Sequence, residues 1–372
     1  MRAPADQAGC CEFLSPQPPS CPLRDVAAWR TKRPERSPNM AIPAPVFDPP
    51  FRVTRASHVR LNVRDLAASK AFYTGIFGVA VTDETAEAVY LRGLEEACHH
   101  SIVLQRSDAP GTCERIGFRV LTEDDLEQGY TWFEARGWNP EWVEMPFQRR
   151  TLHVTDPRGI KLEFCASMDV VPRLLVKFSC HQGGKALRLD HFQVLVPDAA
   201  AAWNDYTPLG FRASEYIVDG EGRTTAAFLQ RKGNSHDFVL VNGRGPRLHH
   251  TAFMVADNQG VIAGCDAAGE LGFADAVERG PGRHGAGHAL FVYFRDPDGH
   301  RIELNSTTYT AMDSELEPVR WDRTAATVVA QWGLPAQRTW FDDASPFPGS
   351  PLSLPDPAPN PLTLEKYLAA KS

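Results

Sequence analysis

The sequence predicts an α+β fold of four repeated βαβββ-type modules, paired into two domains and followed by an irregular C-terminal tail. Three observations carry this. An internal repeat is visible by eye, since His58 opens HVRLNVRDLAASKAFYTGIFGV and His191 opens HFQVLVPDAAAAWNDYTPLGF. Each reads as an alternating strand, an Asp able to cap, an Ala-rich amphipathic helix and a Phe-Gly or Gly-Phe stop. The turns DPRG and DPDG then lead into strands, placing Glu163 105 residues after His58 and Glu303 112 residues after His191. At 372 residues the chain exceeds one core and suits two domains of roughly 110 to 130 residues.

The elements follow in order. Residues 1–39 hold a Cys pair, SPQPPSCP and KRPERSPN with no apolar core segment, a composition expected to be disordered and unlike a secretory signal. The leader is taken to residue 50, with Met40 an alternative start. The first domain, 51–169, begins at the His58 strand. Asp65 caps a helix through Phe72 and Tyr73, with Gly78 near its end. Its second module pairs the strand RIGFRV with a helix from the Thr122 cap to Gly137. Residues 170–187 are the linker. The second domain, 188–308, repeats the plan from His191 and again from His250. The tail, 309–372, is irregular, with Pro-rich 345–362 and aromatic Trp321, Trp332, Trp340 and Phe341. So long a tail without a repeat of its own is expected to pack as a lid or a subunit contact.

His191, His250 and Glu303 sit in the apolar, strand-like runs LRLDHFQVLV, RLHHTAFMV and GHRIELN. Two imidazoles and one carboxylate on separate strands match the facial triad of non-heme Fe(II) oxygen chemistry. The repeat supplies a control. Aligning Phe118 of GFRV with Phe253 of AFMV puts Arg115 where the second copy has His250. A guanidinium stays protonated and cannot ligate a cation, so the first copy is read as a metal-free twin. His249 is assigned to the opposite sheet face by strand alternation and excluded as a ligand. His288 and His300 are read as surface or turn residues.

Composition narrows the classes. Thirty-nine basic and 46 acidic residues give −7, which disfavours nucleic acid or an anionic membrane as partner. No apolar run approaches the ~20 residues of a membrane span. The eight cysteines contain no CxxC and no regular spacing, so reduced thiols and a cytoplasmic location are expected.

Paired modules with one metal-free copy, together with RLDHF, RKGNSHD, GRGPRLHHTAF, ERGPGRHG and DPDGHRIE, resemble the type I extradiol ring-cleaving catechol dioxygenases of the vicinal oxygen chelate superfamily. The resemblance runs from Met40 to about residue 345. It implies two vicinal-oxygen-chelate (glyoxalase/dioxygenase-like) domains and a homotetramer or other homo-oligomer. It implies Fe(II), with Mn(II) an alternative, on His191, His250 and Glu303. A catechol and O2 would be the substrates, cleaved to a 2-hydroxymuconic semialdehyde-type product. His236 matches the acid/base histidine, Tyr293 a tyrosine beside substrate and oxygen, His284 a histidine beside the substrate, and Arg279 an outer arginine assigned with Gln193 and Phe228 to substrate binding. Gln193 and Phe228 stand where relatives acting on an arylacetate have Asn and Trp. Those relatives also carry an Arg pair before a tail Trp-Gly; counting back from Trp332-Gly333 gives Val328 and Val329. Loss of a bidentate clamp favours an uncharged or apolar substituent, with Arg323 or Arg338 as candidate replacements. Two alternatives stay open: a 4-hydroxyphenylpyruvate dioxygenase-like oxygenase, which has no need of His236, Tyr293 and His284, and a non-catalytic binding protein, which has no use for three intact ligands.

Overall fold

A computed structural model describes residues 42–306, 308–323, 328 and 330–371. Met40 and most of the leader lie outside these. Residues 42–50, assigned to the disordered leader, touch the fold at two points: Ile42 lies against the core, and the Arg212 guanidinium lies over the ring of Phe47, which is otherwise exposed.

The first copy is β1 (Val53–Val63), α1 (Leu66–Phe72), β2 (Ala80–Glu84), β3 (Ala88–Arg92), β4 (Ile102–Arg106), β5 (Cys113–Val120), α2 (Glu123–Glu134), β6 (Glu141–Met145), β7 (Arg149–Thr155) and β8 (Lys161–Cys165). That is βαβββ twice. The caps are the expected ones: Asp65 accepts from the backbone of Ala67 and Ala68, and Thr122 forms a capping box with Asp125. After α1 a π-helical turn, Tyr73–Phe77, runs to Gly78, whose φ is 68°. A Cβ at Gly78 would lie 1.9 Å from the Gln182 carbonyl, so the linker packs there only because the side chain is missing.

The second copy repeats the order with β9 (Arg188–Val196), α3 (Ala199–Tyr206), β10 (Arg212–Val218), β11 (Thr224–Gln230), β12 (Phe238–Asn242), β13 (Arg247–Met254), α4 (Asn258–Glu270), β14 (Val277–Arg283), β15 (Leu290–Arg295) and β16 (Arg301–Ser306). The tail is less irregular than expected. It holds β17 (Val319–Asp322), α5 (Arg338–Asp342), β18 (Ser345–Pro346) and α6 (Leu364–Ala369). Backbone pairing with existing strands organises it, β17 on the edge strand β10 and β18 on the Arg247–Leu248 end of the central strand β13; this leaves little trace in side-chain pattern.

Each sheet joins its two modules centrally. The first runs β2-β3-β4-β1-β5-β8-β7-β6 and the second β14-β15-β16-β13-β9-β12-β11-β10-β17. Phe118 links them, its ring centroid 5.8 Å from Phe192 and 5.6 Å from Phe238; truncating such a buried ring costs about 3–5 kcal/mol. The copies also interlock reciprocally. Tyr73 donates to Asp296 in the second copy's DPDG turn at 3.0 Å, and Tyr206 donates to Asp156 in the first copy's DPRG turn at 2.9 Å. Buried bonds to carboxylates contribute about 1.5–3 kcal/mol each, so these turns dock the copies as well as opening strands.

Candidate active site

The registers align the copies without reference to sequence. His58 lies opposite Gly117 and His191 opposite Ala252. Glu163 pairs with Gly117 and Glu303 with Ala252. Two residues further along these antiparallel ladders, forward on β1 and β9 and back on β5 and β13, Arg60 faces Arg115 and Gln193 faces His250. Arg115 therefore occupies the place of His250.

His191 on β9, His250 on β13 and Glu303 on β16 are buried, and one donor atom from each lies within 4.8 Å of the others. The Nε2 atoms are 3.3 Å apart and lie 3.4 and 3.2 Å from Glu303 Oε2. Donors about 2.1 Å from one ion at right angles stand about 3 Å apart, so the three atoms frame one face of a cation. Glu303 Oε2 is buried without a hydrogen bond of its own, an expense that coordination removes. Burial would raise the Glu303 pKa, but the surrounding His191, His250 and His284 hold its carboxyl well below the usual range. Burial likewise opposes charge on His191, yet Asp190 and Glu303 outweigh it and raise its pKa to about 9. For His250 burial prevails and lowers it to about 4. Two buried carboxylates require positive charge between them, and a divalent cation meets that need in place of a proton. Two imidazoles and a carboxylate suit iron or manganese.

Two β-bulges shape the surroundings. The register slips at Asp190 on β9 and at His249 on β13, so each side chain turns toward its neighbouring ligand rather than to the opposite face. His191 Nδ1 is 2.9 Å from Asp190 Oδ2. His249 Nδ1 is 2.7 Å from His250 Nδ1, and its Nε2 donates to the Trp340 carbonyl at 2.8 Å. His249 is indeed outside the donor trio, but the alternation argument for it was wrong: the bulge brings it against His250. His300 also departs from expectation. It is buried, 2.7 Å from Ser345 Oγ, and donates to the Asn62 carbonyl at 3.0 Å, because its turn is covered by the tail and the first copy. His288 is exposed, as read.

A cavity of about 630 Å³ opens over the trio, within the range of small-molecule sites. Its wall includes Gln193, Phe228, His236, His284, Tyr293, Arg323 and Val328. The His236 ring lies 4.2 Å from that of His191 and 5.3 Å from Phe228. Its Nδ1 is 2.9 Å from Ser235 Oγ. Burial, then repulsion from His191, lowers its pKa well below the ordinary value. Gly287 closes over it: φ is +74° and a Cβ there would lie 3.2 Å from His236 Cε1. Tyr293 faces Glu303 across β15 and β16, and its hydroxyl is 2.9 Å from His284 Nε2. Burial and the Glu303 charge raise its pKa well above the ordinary value.

Arg279, expected among the substrate-binding residues, is not on the cavity wall. It is buried behind Tyr293, its guanidinium 4.8 Å from the Phe291 ring and 4.5 Å from Trp340. The β14–β15 register, which puts Arg279 opposite Tyr293, makes it a support for that wall. Arg338 is exposed and pairs with Asp342. Val329 lies outside the described residues. The sequence reading missed Asp190 as a partner of His191, although RLDHF displays it, and missed the tail residues Leu354, Pro355 and Pro361 on the cavity wall.

The chain belongs to the glyoxalase/bleomycin resistance protein/dioxygenase superfamily, whose family model matches residues 55–164 and 188–304. Among solved structures it is similar to homoprotocatechuate 2,3-dioxygenase from Brevibacterium fuscum in complex with 3,4-dihydroxyphenylacetate, at 35% identity and a TM-score of 0.78, covering 82% of this chain and 96% of that one. It is 28% identical to a metapyrocatechase of Pseudomonas sp. (strain CF600) over 72% of this chain and 91% of the relative. It is 26% identical to a manganese-dependent 2,3-dihydroxybiphenyl 1,2-dioxygenase of Geobacillus genomosp. 3, over 72% and 90%. Among the described residues no helix is long and apolar enough to cross a membrane.

Proposed function

We propose that the chain is an extradiol dioxygenase that opens a catechol ring with O2 at a single Fe(II) or Mn(II) ion held by His191, His250 and Glu303. The observation that carries this is the convergence of three buried donor atoms beneath a cavity that also presents His236, Tyr293 and His284. The ion supplies a Lewis-acidic, redox-active centre that acidifies the catechol and permits reaction with triplet dioxygen.

The protein residues do the rest. With Nδ1 engaged by Ser235, His236 offers Nε2 to take a catechol proton and return it as the ring opens, work suited to a neutral imidazole. The Tyr293–His284 pair borders the opposite side of Glu303 and supplies hydrogen bonds to the substrate oxygens. A 4-hydroxyphenylpyruvate-type reaction would leave this set unused. A mere binding protein would leave the donor trio unused.

The ring substituent is uncharged or apolar in this proposal. Along β9, β11 and β12 the period of two points Leu195, Ala226, Val239 and Val241 into the cavity. Val328 on the same wall is 1% exposed. Arg247 spends its guanidinium on the Arg244 and Asp342 carbonyls. Among the described residues, Arg244 and Arg323 are the remaining arginines of the wall through which an acid would have to act.

A homo-oligomer is also proposed: Val170, Val176 and Phe178 on the linker stand 84, 83 and 77% exposed, large apolar side chains suited to subunit burial. Light scattering that returns a monomer removes that part. The test of the activity is anaerobic reconstitution with each metal, then oxygen uptake and yellow product across a catechol panel. Metal binding without ring cleavage of any catechol would overturn the proposal.

A further inference from the structure

The bulge residue beside His191 differs between the copies. Asp190 and Ser57 occupy matching positions, since the register slips at each immediately before the paired histidine. Asp190 is fully buried and engaged on both oxygens. Oδ2 faces His191 Nδ1 at 2.9 Å, and Oδ1 accepts from Asn234 Nδ2 at 3.2 Å with Lys232 Nζ 3.9 Å away. Lys232 also donates to the Asp190 carbonyl, and to Asp237 Oδ1 at 2.9 Å. Asp237 in turn accepts from the Ala56 amide of the first copy at 2.9 Å. The network therefore runs from the first copy's backbone to the ring of His191. In the first copy it is missing: Ser57 Oγ and His58 Nδ1 are buried without hydrogen-bond partners.

We propose that Asp190 is a positioning residue that selects the Nδ1–H tautomer of His191 and aims its Nε2 lone pair at the ion, with Lys232 and Asn234 holding the carboxylate. A histidine with both nitrogens uncommitted samples two tautomers and a range of ring angles. A carboxylate on Nδ1 removes that freedom and makes Nε2 the better donor. His191 is thereby fixed by the protein before any ion arrives, whereas His58 is fixed only by the Glu163 bond it makes directly. The inference rests on the metal reading of the trio.

Asp190→Ser, which installs the first copy's residue, is expected to weaken Co(II) or Mn(II) binding about 10- to 100-fold in a chelator competition. Asp190→Asn is expected to weaken it less, because the amide oxygen still accepts. A second readout separates positioning from general damage. The Co(II) protein should show two exchangeable, paramagnetically shifted imidazole N–H signals, from His191 and His250, and Asp190→Ser should lose one through fast solvent exchange. Lys232→Met leaves Asp190 in place and should weaken binding in the same direction, so a misfolded Asp190 variant does not end the test. Wild-type affinity and two protected signals in Asp190→Ser would overturn the proposal. Failure of the wild-type protein to bind an ion at all would instead remove the metal reading on which it rests.

Discussion

The two copies share strand order, register and both bulges, yet only the second brings three donors to a common point. In the first, His58 Nε2 bonds Glu163 directly at 2.6 Å, while Gln148 and His153 close on the same carboxylate at 2.6 and 3.0 Å. Arg115 turns its guanidinium to the Leu162 and Val154 carbonyls. A further difference is one methyl group. A Cβ at Gly117 would lie 2.2 Å from His58 Cε1, so the His58 ring fills the space that Ala252 fills in the second copy. His191 cannot lean there. The lesson is that holding a ligand set open takes more than the ligands: it takes a spacer, a bulge carboxylate and no neighbour ready to satisfy the acid.

The largest expected effect separates His236 from His100, which occupies the matching register position: Ile102 pairs with Val59 as Phe238 pairs with Phe192. His236→Asn should keep its metal and lose roughly 10² to 10⁴-fold in turnover. His100→Asn should leave turnover per folded enzyme near wild type, since His100 bonds Gln148 at 2.9 Å and His99 at 3.1 Å, away from the cavity over the trio. Single-turnover kinetics under oxygen check both, and unchanged rates in His236→Asn would remove it from the chemistry.

Stability should show the reverse preference. Glu163→Gln sets an amide among donors that need a buried anion, and breaking such a pair costs about 3–5 kcal/mol. Denaturant unfolding of the metal-loaded proteins should therefore show a large loss for Glu163→Gln. A loss below about 1 kcal/mol would mean the first-copy network is not the structural lock described.

The smallest effect concerns the substituent. Neutral alkyl- or aryl-catechols should exceed 3,4-dihydroxyphenylacetate in kcat/KM by about 10 to 150-fold, the value of a lost charge-assisted contact. If the acid is preferred instead and Arg323→Ala abolishes the preference, Arg323 is the clamp and the apolar reading fails.

Much of this was legible in the sequence because repeats expose equivalence. The His58/His191 and Glu163/Glu303 spacing, and Arg115 in the place of His250, need only strand patterning. The bulges were not legible, since one extra residue changes no composition while re-aiming Asp190 and His249. Nor was the burial of His300 or the retreat of Arg279 behind Tyr293. The first depends on the tail and the first copy closing over one turn, the second on the β14–β15 register with Trp340 of the tail packed on the guanidinium. The tail's path is set by backbone pairing with β10 and β13 rather than by periodicity.

The central claim is that one copy holds the ion and the other holds the fold. Metal content per chain after reconstitution with Fe(II) or Mn(II), compared between Glu303→Gln and Glu163→Gln at equal folded fraction, tests it most directly. The account predicts near-complete loss in Glu303→Gln and wild-type content in Glu163→Gln. Equal loss from both variants would contradict it.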